Sequence, residues 1–229
     1  MIDAGERGDG DDIVAYLRRM GITRLEYVIA THPDSDHIGG MPAVIEELEI
    51  GTFLMSFMPQ GYEPTTVTYE NLLNALVEKD ITPEEPTHGT AYTFGDATID
   101  ILSGLSEHTE TNEQSIVCRV RFGKNRFLLM GDAGIEVEKE LMQARYDLEA
   151  DVLKVGHHGS RHSSSEEFIR RVSPTHAIIT CGLDNSYGHP HEETLDTLKK
   201  QHISLYRSDL NGTITVISDG TTVTVSTEK

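Results

Sequence analysis

Cysteine is scarce in this chain: two in 229 residues, Cys118 inside a strand pattern and Cys181 at a strand end. Neither has the spacing of a zinc knuckle or a redox pair, so both read as buried or idle. No apolar stretch approaches the length of about 18 residues needed to cross a bilayer, so no membrane insertion by this chain is expected. The opening Met1-Ile-Asp-Ala-Gly5 lacks a basic n-region and an apolar h-region, and no secretory signal is expected. Linkers rich in Pro, Gly or Ser and internal repeats are also missing, so residues 1–229 are expected to form one domain. Positive charge is short: 19 Lys and Arg stand against 38 Asp and Glu, a net charge of -19. Phosphate binding normally draws on clustered cations, so the charge balance counts against a broad surface for gripping nucleic acid. The cations present gather late, at Arg119, Arg121, Lys124, Arg126, Lys154, Arg161, Arg170 and Arg171, and a bound divalent metal would reverse the local sign.

What the chain does have is His32-Pro-Asp34-Ser-Asp36-His37-Ile-Gly39-Gly40, directly after the strand-like Leu25-Glu-Tyr-Val-Ile-Ala30. At this composition an H-x-D-x-D-H is expected by chance roughly 0.003 times in a chain of this length, so a solvated accident is the weaker explanation. Imidazole and carboxylate suit zinc, manganese or iron, and a catalytic metal needs rigid ligands with one position open to water. If the strand geometry continues, His32, Asp34 and Asp36 share a face and His37 turns toward a second metal. Gly39 and Gly40 would let the backbone pass close to whatever the loop holds.

Apolar periodicity predicts helices over 11–20, 38–48, 68–79, 135–146, 165–172 and 192–201, and strands over 26–31, 52–56, 92–94, 97–102, 115–122, 126–130, 151–155, 176–181, 203–206, 213–218 and 221–226. The stretch 81–90 reads as an exposed connection that leaves His88 solvated. Two groups of helices, each beside strands, fit a layered α+β sandwich covered by helices on both outer faces.

Three more strand ends carry candidate site residues. Gly131-Asp132-Ala133 follows Phe127-Leu-Leu-Met130, and a carboxylate there can bridge two cations; a helix cap would explain it alone. Gly156-His157-His158-Gly159-Ser160 follows Val152-Leu-Lys-Val155, where one imidazole can face metal and the other substrate. Gly188-His189-Pro190-His191 opens a helix, and either histidine could instead serve as a cap or lie on the surface. Active sites collect at such loops.

In this order the blocks IDAG, THPDSDHIGG, NEQSIVCRVRFGKNRFLLMGDA, LKVGHHGSRHSSSEEF, NSYGHPHEETL and YRSDLNGTITVISDG resemble the metallo-β-lactamase superfamily. Within it they resemble the ComEC-like branch, the hydrolase-like domain at the end of competence DNA-uptake proteins. The resemblance covers nearly the whole chain; GHPH after Asp184-Asn185 and the closing DLNGTITV block are its narrowest motifs. It implies an αββα four-layer sandwich, an α+β fold with two divalent ions, zinc or manganese, at one edge. It implies His32 and Asp34 on the first ion, Asp36, His37 and His158 on the second, and Asp132 on both, with His157 competing for the place of His158. Asp3 matches an early carboxylate that orients the loop. Asn112, Ser115, Ser160 and His191 are the candidates for contact with substrate.

The chain departs from the commonest pattern, H-x-H-x-D-H, because Asp34 makes the donor set harder and manganese plausible beside zinc. A separate ligand histidine is also missing: the matching stretch is Thr111-Asn112-Glu-Gln-Ser115, with His108 nearby, which predicts weak binding of the first ion. Two strands that usually precede IDAG are not in the sequence, so the fold is expected without its first strands. Two metals about 3.5 to 4 Å apart lower the pKa of a shared water toward 7 and clamp the attacked group. Asp36 could hold the water's proton, and His157 or His189 could protonate the leaving oxygen. The resemblance then implies a metal-dependent phosphodiesterase or nuclease acting on single-stranded DNA, working with a membrane channel domain of a parent protein. The compartment would be extracytoplasmic in that setting and cytoplasmic otherwise. A small-molecule ester or acyl hydrolase and a noncatalytic accessory domain for DNA uptake fit the same residues.

Overall fold

Ile13, Val14 and Leu17 recur at helical spacing, and they form α1 (Gly10–Arg19), with Asp11 and Asp12 in its first turn and Arg18 and Arg19 in its last. That charge order complements the helix dipole. The computed structural model describes residues 1–229. The backbone divides into two compact units, Met1–Thr87 with Ser106–Ile116, and His88–Leu105 with Val117–Lys229. Each has its own apolar core.

In the first unit α1 is followed by β1 (Arg24–Ala30), α2 (Ser35–Ile38), α3 (Met41–Glu47), β2 (Glu49–Met55) and α4 (Val67–Glu78). The strands β1 and β2 pair in parallel, with Val28 opposite Phe53 and Ala30 opposite Met55. Single bridges from Ile2 to Ile29 and from Leu54 to Glu84 flank the pair. Val14, Val28, Met41, Ile45, Phe53, Leu72 and Leu76 make the core, and burying each such side chain contributes roughly 1.5 to 3 kcal/mol. The one helix expected over 38–48 is interrupted at Gly39 and Gly40. A Cβ on Gly39 would stand 2.3 Å from the Arg7 nitrogen, and one on Gly40 2.2 Å from the Ala4 oxygen. The glycines therefore admit the chain's own N-terminal segment rather than a ligand.

The second unit holds β3 (Ala91–Phe94), β4 (Ala97–Ile101), β5 (Cys118–Phe122), β6 (Asn125–Leu129), α5 (Ile135–Gln143), β7 (Val152–Lys154), α6 (Glu166–Val172), β8 (His176–Ile179), α7 (Glu192–Lys200), β9 (Ser204–Arg207), α8 (Ser208–Asn211), β10 (Ile214–Ser218) and β11 (Val223–Thr227). Seven strands form one sheet in the order β3-β4-β5-β6-β7-β8-β9. Pairing is antiparallel from β3 to β6 and parallel from β6 to β9. Parallel neighbours need crossover connections, and α5, α6 and α7 lie within these three. The C-terminal ends of β6, β7 and β8 consequently share one sheet edge, where loops of such sheets bind ligands. The closing hairpin pairs β10 with β11.

Two local expectations change. Residues Asn112–Gln114 form a short 3-10 turn and β5 begins at Cys118 rather than 115. His88 is not solvated: it is half-buried, its Nδ1 faces the Leu102 carbonyl at 3.3 Å, and the Tyr146 hydroxyl hydrogen-bonds its ring.

Candidate functional site

The first group of site residues follows β1. Strand geometry ends at Asp34, which is extended (φ -78, ψ 148) and precedes α2, so the alternation expected through Asp36 stops one step early. Asp36 instead sits in the first turn of α2 and His37 near its end. His32 and His37 are buried, their ring centroids 4.1 Å apart.

Asp3 organises both rings. It accepts from the Thr31 amide at 2.8 Å and the Thr31 hydroxyl at 2.9 Å, and its Oδ2 lies 2.7 Å from His37 Nδ1. Burial alone would raise this carboxyl. The His37 hydrogen bond, the His37 and His32 charges and the Thr31 amide outweigh burial and hold it below its ordinary value. An ionised carboxylate only accepts, so His37 Nδ1 carries the proton. With the Thr31 hydrogen directed to Asp3, its oxygen accepts from His32 Nδ1 at 3.0 Å. With Nδ1 engaged in this way, each imidazole in its neutral form presents an Nε2 lone pair, which is how outer partners prepare histidine for a metal. His32 Nε2 stands 3.8 Å from Asp34 Oδ2, and His37 Nε2 3.8 Å from Asp36 Oδ2.

The second group lies at the C-terminal edge of the parallel strands. Asp132 comes three residues after the end of β6, and His157 three residues after the end of β7. His157 (φ 46) and His158 (φ 51) are both left-handed, a conformation costing of order 1 to 3 kcal/mol each outside glycine. The turn aims His158 Nδ1 at the Thr180 carbonyl, 2.6 Å away. A carbonyl accepts, so Nδ1 holds the proton and Nε2 faces Asp132 Oδ2 at 3.2 Å. A ligand nitrogen and oxygen both about 2.1 Å from a tetrahedral cation lie about 3.4 Å apart. The His158–Asp132 spacing fits that figure and the two pairs of the first unit are slightly wider, so the donor sets suit a divalent metal.

His157 lies 5.4 Å from His189 between ring centroids, and His189 lies 4.9 Å from His191. Burial first, then the charges of His157, His191 and His158, lower His189 to about 4. With that shift His189 is a neutral imidazole at neutral pH. His191 Nδ1 accepts from the Arg161 amide at 3.1 Å. Ser115 and Ser160 are buried, and Ser160 Oγ accepts from the His162 amide. Asn112 is half-buried at the start of its 3-10 turn. The nearby His108 has its amide bonded to Gln114 Oε1. Cys118 is buried, and the Cys181 thiol is pushed up to about 11 by burial, then by the Asp209 hydrogen bond and charge. Sequence reasoning missed Thr31 and Thr180, whose roles depend on backbone and hydroxyl contacts with no motif of their own.

A family model described as metallo-beta-lactamase superfamily matches residues 1–182. The chain belongs to the metallo-beta-lactamase superfamily. It is similar to ComE operon protein 3 of Bacillus subtilis (strain 168), 35% identical over 205 residues, 88% of this chain and 26% of that protein. It is also similar to competence protein ComA of Neisseria gonorrhoeae, 30% identical over 204 residues, 88% of this chain and 26% of that protein. The chain spans about a quarter of the length of these curated relatives. Among solved structures, the metallo-beta-lactamase fold protein YhfI from Bacillus subtilis matches with a TM-score of 0.54 at 14% identity, covering 90% of this chain and 82% of that one. The metallo-beta-lactamase-like α+β fold expected from the sequence is thus the fold observed, and the superfamily is one of metal-dependent hydrolases. No helix is long and apolar enough to cross a membrane.

Proposed function

We propose that residues 1–229 act as one hydrolase domain that cleaves phosphodiesters, with single-stranded DNA as substrate, alongside a membrane channel domain of a longer parent protein and outside the cytoplasm. The observation that carries the hydrolase reading is the set of three imidazole–carboxylate pairs, each with its Nε2 turned to a carboxylate oxygen. The DNA reading is supported by the similarity to two competence proteins. We assign His32 and Asp34 to a first divalent ion and Asp36 and His37 to a second. Asp132 and His158 supply the further donors, with His158 preferred over His157 because its Nδ1 is held by Thr180. The carboxylate-rich set favours manganese, with zinc as the other candidate. The bound ions would lower the pKa of water toward neutrality and polarise the attacked phosphoryl group.

The remaining roles belong to the chain's own groups. Asp36 takes the proton from the attacking water, and His157 returns one to the leaving oxygen. His189, being neutral, donates an N–H to a phosphoryl oxygen and orients it. Of the four residues expected to touch substrate, Asn112 and His191 are assigned that contact, while the buried Ser115 and Ser160 support their loops.

The test is purified protein loaded with manganese or zinc, offered labelled single-stranded DNA and, separately, a chromogenic lactam. We expect DNA cleavage that a chelator abolishes and that Asp132→Asn lowers by at least about 100-fold with circular dichroism unchanged. Folded, metal-loaded protein that hydrolyses the lactam and leaves DNA intact would overturn the substrate assignment. A folded protein that takes up no metal would point to an accessory domain.

A further inference from the structure

We infer that Tyr187 is a stacking platform that seats a nucleobase of the substrate beside the histidine cluster; this deepens the phosphodiesterase reading and rests on it. The Tyr187 side chain is 77% exposed, yet its ring is ordered against a partner. It lies 5.7 Å from the His189 ring at 20° between planes. His189 in turn lies 6.3 Å from the His158 ring at 24°, and His158 Nε2 is 3.2 Å from Asp132. The rings of His158, His189 and Tyr187 thus follow one another from the imidazole that faces Asp132, and the last of them is the exposed one. Leu183, 70% exposed on the same loop, adds an apolar surface.

The loop is braced from within. The Asn185 amide nitrogen donates to the Gly182 carbonyl at 2.9 Å and the His189 carbonyl at 2.6 Å, and its oxygen accepts from the His189 amide at 2.9 Å. Gly188, at φ +72, supplies the turn that returns the chain to His189. An exposed aromatic alone is ordinary; one stacked on a site imidazole, on a clamped loop, is placed to receive a ligand ring. A chain with a net charge of -19 attracts a phosphate backbone weakly. Base stacking needs no charge and tolerates any sequence, so it suits this surface. Tyr187 itself is two ring steps from the imidazole facing Asp132, and a base seated on it would be one step further out.

The experiment compares two oligonucleotides of equal length, oligothymidylate and its abasic counterpart, which share the phosphate chain and differ in bases. Binding is read by fluorescence anisotropy in chelator, independently of turnover, and stacking by quenching of a single 2-aminopurine. We expect the wild-type protein to prefer the base-bearing strand by about 5- to 100-fold. The preference should collapse in Tyr187→Ala and persist in Tyr187→Trp. Equal binding of the two strands by wild type, no binding of either, or a preference that survives in Tyr187→Ala overturns the inference. Base-dependent binding with no cleavage once metal is added leaves the platform standing and removes the nuclease reading. Cleavage of both strands at equal rates, with equal binding, does the reverse.

Discussion

Replacing Asp3 by asparagine keeps the side chain's size and, from the bonds around it, should reverse the tautomer of His37. The carboxylate accepts three hydrogen bonds, from the Thr31 amide, the Thr31 hydroxyl and His37 Nδ1. Asparagine offers one acceptor oxygen and one NH2. With the oxygen kept on the Thr31 amide, the NH2 faces Nδ1, which must then accept, and the ring proton moves to Nε2. That nitrogen is the one assigned to metal. Restoring its lone pair in the variant means breaking the new bond or leaving two donors opposed, which costs about 1 to 3 kcal/mol. Metal affinity should fall by about 5- to 150-fold, overlapping the range of about 10- to 100-fold for losing such an outer partner. The backbone should hold, because asparagine accepts the left-handed conformation that Asp3 has at φ 53. Chelator competition gives the affinity, and nitrogen chemical shifts of the metal-free protein give the tautomer. A variant that keeps its proton on Nδ1 and binds manganese and zinc as wild type does would refute the reasoning.

Gly39→Ala forces a Cβ to 2.3 Å from the Arg7 nitrogen and 2.5 Å from the Ser35 oxygen, both backbone, and should cost about 1 to 3 kcal/mol in urea unfolding. Asn185→Ala removes all three braces of the 182–189 loop; substrate KM should rise while metal stoichiometry, read by elemental analysis, stays the same. Asp100 is held below its ordinary value because the Arg121 and Arg119 bonds and charges exceed the opposing effect of burial. A lowered folded pKa gives stability that is complete above the unfolded value of about 3.9 and lost as pH falls through the folded value. Asp100→Asn should therefore be less stable at pH 7 and show a shallower loss below pH 4. Cys181, at about 11, should alkylate slowly at pH 8 in a mass-spectrometric time course, and Asp209→Asn should speed it by removing the negative charge.

Residues that act through side-chain type and spacing were legible in the sequence. The parallel strands β6, β7 and β8 were readable from their apolar runs, and Asp132, His157 and His158 from their positions just beyond them. What could not be read was set by backbone conformation. The preference for His158 over His157 proposed above rests on two consecutive left-handed residues and a carbonyl at Thr180, neither of which has a side-chain signature. The glycine pair was visible, but its reason was not, since the close neighbour is main chain from residues 4 to 7, distant in sequence. Ser115 and Ser160 read in the sequence as candidates for contact with substrate, and only tertiary burial shows them enclosed. His88 was misjudged because its partner Tyr146 lies 58 positions away.

The stretch Ser106–Ile116 belongs with the first unit although chain of the second unit lies on either side of it. Its ties are specific: the Ile116 amide donates to the Thr31 carbonyl at 2.8 Å, next to His32, and Gln114 Nε2 donates to the Phe57 carbonyl at 3.1 Å. A gene fragment ending at Thr87 would therefore encode an N-terminal piece stripped of the contact that steadies residue 31. Split-protein reporters or truncations built on this scaffold would have to carry that insert in trans or by circular permutation.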